Sequence, residues 1–145
     1  MVKVAIVYWS GTGNTQAMAH AIKDGVERSG NAVEIFEVDQ FRVDDFKDYQ
    51  GYIFGCPAMG DEVLEEGSFE PFFTAAESHL KDKPVALFGS YGWGGGEWMR
   101  TWAERTRMDG AKLYNDGLIV ENGPTDDDLK NCVKLGEEFA RSIEA

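Results

Sequence analysis

Residues 2–15 read VKVAIVYWSGTGNT. The run from Val2 to Tyr8 is apolar and β-branched throughout except at Lys3. A strand open to water on one side would alternate, so this pattern describes a strand covered on both faces. The run stops in Ser10-Gly11-Thr12-Gly13-Asn14-Thr15, and a different period begins at once. Met18, Ile22 and Val26 recur at every fourth position with Ala21 beside them, which is one face of a helix, and Gly30 ends the segment as a C-terminal cap does.

The same alternation continues along the chain. AVEIFEV at 32–38 returns to strand character, and VDDFKDY at 43–49, with Phe46 and Tyr49, fits a short second helix. YIFGC at 52–56 is a third strand. Phe69, Phe72, Phe73, Ala76 and Leu80 fall at helical spacing, Pro84 forbids continuation, and VALFG at 85–89 is a fourth strand. Trp98, Met99, Trp102 and Ala103 mark another helix face, so both tryptophans are assigned to the core. LIV at 118–120 is the fifth strand. Leu129, Cys132, Val133, Gly136, Ala140 and Ile143 form the stripe of a last helix, which starts with a capping-box pair, Thr125 and Asp128, after Pro124. Five strands separated by helices, with connections too long for hairpins, imply parallel pairing and right-handed crossovers. The fold class is therefore α/β, a doubly wound parallel sheet with helices on both faces. The 145 residues form one domain, 1–145. Ligands of such sheets bind beyond the carboxyl ends of the strands, which directs attention to the loops after the first, third and fourth strands.

Charge narrows the partners. The chain has 14 Lys and Arg against 26 Asp and Glu, a formal charge of −12. Nucleic acid and anionic membranes both require clustered cations, so neither is expected, and a basic protein surface is the expected partner. No apolar run is long enough to span a bilayer and the N-terminal residues lack signal-peptide features, so a cytoplasmic location is expected. Cys56 and Cys132 stand far apart without neighbouring ligand spacing, which reads as two buried thiols rather than a metal site or a disulfide. His20 and His79 fall within helical segments away from any nucleophile, and no catalytic constellation is evident.

Three loops remain to carry chemistry. In SGTGNT, Gly11 and Gly13 let the backbone bend so that successive amides point inward, Ser10, Thr12 and Thr15 supply hydroxyls, and the helix start adds partial positive charge. This describes a phosphate cradle. It is not a P-loop, because no Gly-Lys-Ser/Thr follows, and it is not the dinucleotide fingerprint, because Gln16 takes the third glycine position. With no Lys or Arg in the loop, a bound phosphate keeps its charge, which suits a cofactor better than a group being transferred. The second loop, CPAMGDEVLEE at 56–66, places Met59 before Gly60 and begins a run of five acids without a base: Asp61, Glu62, Glu65, Glu66 and Glu70. A methionine there can lie on an aromatic ring. The third, GSYGWGGGEW at 89–98, holds Trp93 between Gly92 and Gly94, a setting suited to stacking on something flat.

Taken together the loops suit a flat ring with a phosphorylated tail, and at this point the sequence resembles the flavodoxins, in particular the short-chain kind. SGTGNT, PAMGDE and GSYGWG are similar, in order and separation, to that family's three loops for flavin mononucleotide (FMN), and the resemblance extends over essentially the whole chain. It implies the five-stranded sheet order 2-1-3-4-5 with FMN at the switch point between the first and third strands, a placement known for flavodoxin itself. The short stretch between Gly110 and Pro124 leaves no room for the long insertion that splits the fifth strand in long-chain members.

The resemblance also implies roles. Ser10, Thr12, Gly13, Asn14 and Thr15 bind the phosphate, with Gly11 completing the loop. Met59 covers one face of the ring and Trp93 the other. Gly60 and Asp61 form the turn facing flavin N5, and Glu62 contacts N3. Ser90, Tyr91, Gly92 and Gly94 surround the pyrimidine edge, while Pro57 and Ala58 complete the second loop. Pro57 offers no side-chain donor where some relatives place a serine. The implied function is that of a low-potential one-electron carrier, cycling mainly between semiquinone and hydroquinone, that serves redox partner proteins and turns over no substrate. A flavin-dependent reductase on the same fold would need a second substrate pocket. A phosphoacceptor module would need acids at the ends of the first and third strands, where this chain reads IVYW and FGCPA.

Overall fold

A computed structural model describes residues 1–60 and 62–144. Its elements are β1 (Lys3–Tyr8), α1 (Asn14–Arg28), β2 (Ala32–Glu37), β3 (Gly51–Gly55), α2 (Phe69–Ala76), β4 (Pro84–Tyr91), α3 (Glu97–Met108), β5 (Lys112–Leu113), β6 (Leu118–Glu121) and α4 (Asp126–Glu144). Every strand pair is parallel: β1 lies between β2 and β3, β3 is followed by β4, and both β5 and β6 lie on β4. The expected order 2-1-3-4-5 is therefore present, with helices on both faces.

The fifth strand differs from the expectation of a single run at 118–120. It is two pieces on the same neighbour, Lys112–Leu113 and Leu118–Glu121, so the sheet has six strand segments in five positions. The gap is bridged by a side chain. The Leu87 amide donates to Asn115 Oδ1 at 3.1 Å, and Asn115 Nδ2 donates back to the Leu87 carbonyl at 3.2 Å. One carboxamide thus satisfies the donor and acceptor that an unbroken strand would have paired. The stretch expected as a short second helix, 43–49, is a 3-10 helix over Val43–Asp48 that buries Phe46.

Two cores follow from the two covered faces. On one, Ile6, Ile53 and Phe88 of the sheet meet Met18 and Ile22 of α1 and Phe139 of α4. On the other, Phe54 and Leu87 meet Phe69, Phe72 and Phe73 of α2 and Trp98 and Trp102 of α3. Trp98 and Trp102 are fully enclosed, as their spacing predicts. Helices α1 and α4 approach so closely that a methyl group on Gly25 would lie 1.9 Å from the Val133 carbonyl oxygen, and one on Gly136 2.1 Å from that of Ile22. The two glycines let these backbones touch, which fixes α1 and hence the loop that opens it. The capping box of α4 forms as expected: the Asp128 amide donates to Thr125 Oγ1 at 3.1 Å and the Thr125 amide to Asp128 Oδ2 at 2.9 Å.

Candidate functional site

Beyond Tyr8, the Trp9 amide still donates to the Gly55 carbonyl at 3.0 Å, carrying the β1–β3 ladder one residue further before the chain turns. Ser10 Oγ then accepts from the Gly13 amide at 3.1 Å and from the Gln16 amide at 3.3 Å. Gly13 sits at φ 98°, in the left-handed region that only glycine enters freely, and its carbonyl accepts the first helical bond, from Ala17 at 3.0 Å. Ser10 and Gly13 therefore cap α1. Among the described residues, the amides of Thr12, Asn14 and Thr15 meet no acceptor. Free amides at the start of a fifteen-residue helix with no acid in its first turn make an anion site.

The Thr15 hydroxyl is turned inward and shares a 2.9 Å hydrogen bond with Ser90 Oγ. The first loop is thereby tied to the end of β4. The second loop is tied there too, since the Ala58 amide donates to the Ser90 carbonyl at 2.9 Å and Trp98 Nε1 of α3 donates to the Cys56 carbonyl at 3.1 Å. Its turn closes through Met59 N to the Val63 carbonyl at 3.0 Å and Glu62 N to the Met59 carbonyl at 2.8 Å. Within this turn Gly60 is exposed, with nothing within 4 Å of the place a side chain would occupy. Asp61, expected opposite flavin N5, lies outside the described residues.

Glu62 adopts φ 55°, and its Oε1 is buried without a hydrogen-bond partner among the described residues. That oxygen lies against the third loop: a methyl group on Gly94 would sit 2.1 Å from it. The remaining acids divide. Glu65 accepts from the amides of Gly67 at 2.7 Å and of Ser68 and Phe69 at 2.8 Å, and so caps the start of α2. Burial opposes its ionised form, but these three donors hold the carboxyl below its ordinary value. Glu70 is paired with Arg105 at 2.7 Å, and that guanidinium holds its carboxyl down as well. Of the five acids read together in the sequence, Glu65 and Glu70 thus have structural partners, and Glu62 and Glu66 remain as the described acids of the loop.

The three loops enclose a crevice of about 410 Å³ at the carboxyl ends of β1, β3 and β4, within the size range of small-molecule sites. Gly11, Thr12 and Asn14 line it from the first loop, Pro57, Ala58, Met59 and Gly60 from the second, and Ser90, Tyr91 and Gly92 from the third. No Lys or Arg does so among the described residues. Ser10, Gly13 and Thr15 stand behind the wall as its supports. Trp93 is 64% exposed beside the mouth, and Glu62 and Gly94 close that side against each other. Sequence reasoning missed Trp9 and Asn122, both of which line the crevice. Asn122 could have been found by applying the strand-end rule to the fifth strand as well. It follows β6 directly, adopts φ 60°, and its amide donates to the Tyr91 carbonyl at 2.7 Å. A wider groove of about 770 Å³ between α1 and α4, lined by His20, Asp24, Lys130 and Lys134 among others, lies along the helices, and its charged side chains are of both signs.

Cys56 and Cys132 are both buried, and burial pushes each thiol up to about 12, which makes them poor nucleophiles. His20 and His79 are exposed, as expected of helix-surface residues. No helix among the described residues is long and apolar enough to cross a membrane.

A parallel doubly wound sheet with an amide-lined, cation-free cradle opening into a crevice is the form of a binding protein for a phosphorylated planar cofactor. Comparison with known proteins gives the particular case. Residues 6–136 match the sequence profile of the flavodoxins. The chain is 46% identical to the flavodoxin of Megasphaera elsdenii over 96% of its own length and 99% of the relative's. It is 46% identical to that of Clostridium beijerinckii over 93% and 97% respectively. The solution structure of two-electron reduced Megasphaera elsdenii flavodoxin superposes with a TM-score of 0.88 at 48% identity, covering 95% of this chain and 98% of the other. The chain belongs to the flavodoxin family, FMN-binding proteins that carry electrons one at a time between redox proteins. The site fits such a cofactor: its donors are free amides suited to a phosphate, and its walls offer Met59, Tyr91 and Trp9 to a flat ring.

Proposed function

We propose that FMN lies in this crevice with its phosphate against the 10–15 loop and its ring between the 57–62 and 90–94 loops. The observation that carries this is the set of unpaired amides at Thr12, Asn14 and Thr15, placed at a helix start and continuous with the crevice. When bound, the flavin supplies the redox chemistry. The chain's own residues hold and orient it. Ser10 and Gly13 shape the cradle, the Thr15–Ser90 bond locks it to β4, and Met59, Gly60 and Tyr91 border the ring. In this reading the backbone carbonyl of Gly60, in a turn where a side chain would meet nothing within 4 Å, accepts a hydrogen bond from a flavin N–H, and Glu62 meets the pyrimidine end.

The same chain acts as a carrier, not as an enzyme with a substrate of its own. This reading is supported by the match to flavodoxins over nearly their full length. Partners are met at the crevice mouth, where Glu62 lies against Gly94 beside the exposed Trp93, and the overall charge of −12 favours a basic surface. The test is stopped-flow electron transfer from the FMN-loaded protein to a basic acceptor at rising ionic strength. The rate is expected to fall steadily as salt screens the encounter. An invariant rate, or rapid NADPH oxidation by the isolated protein, would contradict it.

A further inference from the structure

We propose that Trp9 is a positioning residue for the cofactor's phosphate end, setting the course of the 10–13 backbone through its contact with Gly11. The inference rests on the FMN reading above and adds a residue to it. The two glycines of the cradle are glycines for different reasons. Gly13 needs its left-handed φ of 98°, and a methyl group there would meet nothing within 4 Å. Gly11 is not in the left-handed region, so its backbone would admit any residue. What limits a side chain at Gly11 is space: the three nearest atoms to a methyl group there all belong to the Trp9 indole, Cη2 at 3.0 Å, Cζ3 at 3.2 Å and Cζ2 at 4.0 Å, so the indole would have to give by a few tenths of an ångström.

The indole is itself held. Its backbone is fixed by the Trp9 amide to Gly55 carbonyl bond of 3.0 Å, and its ring is half-buried against the core cluster that contains Phe54, Cys56 and Trp98. The ring therefore forms a floor beside the 10–13 loop, close enough that a side chain on Gly11 would press against it. Ser10 Oγ fixes the loop's far end at Gly13 and Gln16 but makes no bond to Gly11. Between those anchors, the three nearest atoms among the described residues to a methyl group built on Gly11 all belong to the indole. Since Trp9 also lines the crevice, a change in the ring alters the distance between the cradle and the ring-binding walls.

The experiment measures the affinity of the cofactor-free protein for FMN and for riboflavin, which lacks the phosphate, by calorimetry. The proteins are wild type, Trp9→Leu, Trp9→Phe, Gly11→Ala and the two double variants, Trp9→Leu/Gly11→Ala and Trp9→Phe/Gly11→Ala. The wild type is expected to prefer FMN. Trp9→Leu should weaken FMN by about tenfold and riboflavin by less than about threefold, with Trp9→Phe between wild type and Trp9→Leu. Gly11→Ala should weaken FMN in the wild-type background but by less than about threefold when Trp9 is already leucine, because the clash is gone. Equal loss for FMN and riboflavin in Trp9→Leu would show the ring to be a wall only and overturn the proposal. So would a Gly11→Ala penalty that is the same in both backgrounds, a readout that stands even if Trp9→Leu alone folds poorly, since Trp9→Phe supplies the second background. A wild type that binds riboflavin as tightly as FMN would overturn the FMN reading and this proposal with it.

Discussion

The hydroxyl oxygens of Thr15 and Ser90 lie 2.9 Å apart in a bond that is 1% and 5% exposed at its two ends and spans 75 positions of sequence. It joins the first residues of α1 to the last residues of β4, and so joins the first and third loops of the crevice. Each hydroxyl holds the other's loop in place, and whichever accepts keeps its own proton to donate elsewhere.

Removing one hydroxyl leaves the other buried without its partner. Thr15→Val and Ser90→Ala are each expected to destabilise the cofactor-free protein by about 1–3 kcal/mol, and the double variant by no more than the worse single change. Urea denaturation of the four proteins checks this. Additive losses would mean that the two groups act separately.

Asp109, at the C-terminal end of α3, titrates in an unusual range. One of its oxygens is buried without a partner. Burial first, and the Glu77 carboxylate beside it second, push its carboxyl from 3.8 up to about 7, against the pull of Arg105. A group raised in the folded state favours folding below its unfolded value, and that contribution is lost as the pH rises through the folded value. Asp109→Asn should therefore exceed the wild type in thermal stability by less near pH 5 than near pH 9. A gain of the same size at both would assign the effect to packing.

Glu62 places a buried, unpartnered carboxylate oxygen against Gly94 at the crevice edge. A negative charge there opposes adding the second electron to a flavin beside it. Glu62→Gln is expected to raise the second-electron potential by about 60 mV, the equivalent of tenfold in a one-electron equilibrium. Potentiometric titration of the FMN-loaded variant at low salt measures it, and an unchanged or lowered potential would refute the electrostatic role.

The fold was legible because its strands are buried on both faces and its helices carry long periodic stripes. VKVAIVY and VALFG admit few other readings, and the α4 stripe and its Thr125–Asp128 cap recur in the structure as read. The fifth strand was not legible as two pieces. Its break at 114–117 depends on the Asn115 side chain meeting Leu87, a contact between residues 28 apart that no local pattern announces. The crevice was legible in outline for the same reason that the fold was: glycine loops at strand ends must face one another across a parallel sheet. Its supports were not. Glu65 and Glu70 read as members of an acidic face, yet one caps α2 and the other meets Arg105, 35 positions away. Trp9 was read as the end of a strand, although its place next to the cradle was a signal that it would form part of the floor.

The claim on which the rest depends is that a phosphate sits among the free amides of the 10–15 loop with no cation beside it. Phosphorus NMR of the FMN-loaded protein over a pH series tests it. A phosphate monoester in water takes up its second proton near pH 6. Amide donors and a helix start favour the dianion, so the resonance is expected to hold one position from about pH 5 to about pH 9. A resonance that titrates near pH 6, as free FMN does, would place the phosphate in solvent and contradict the account.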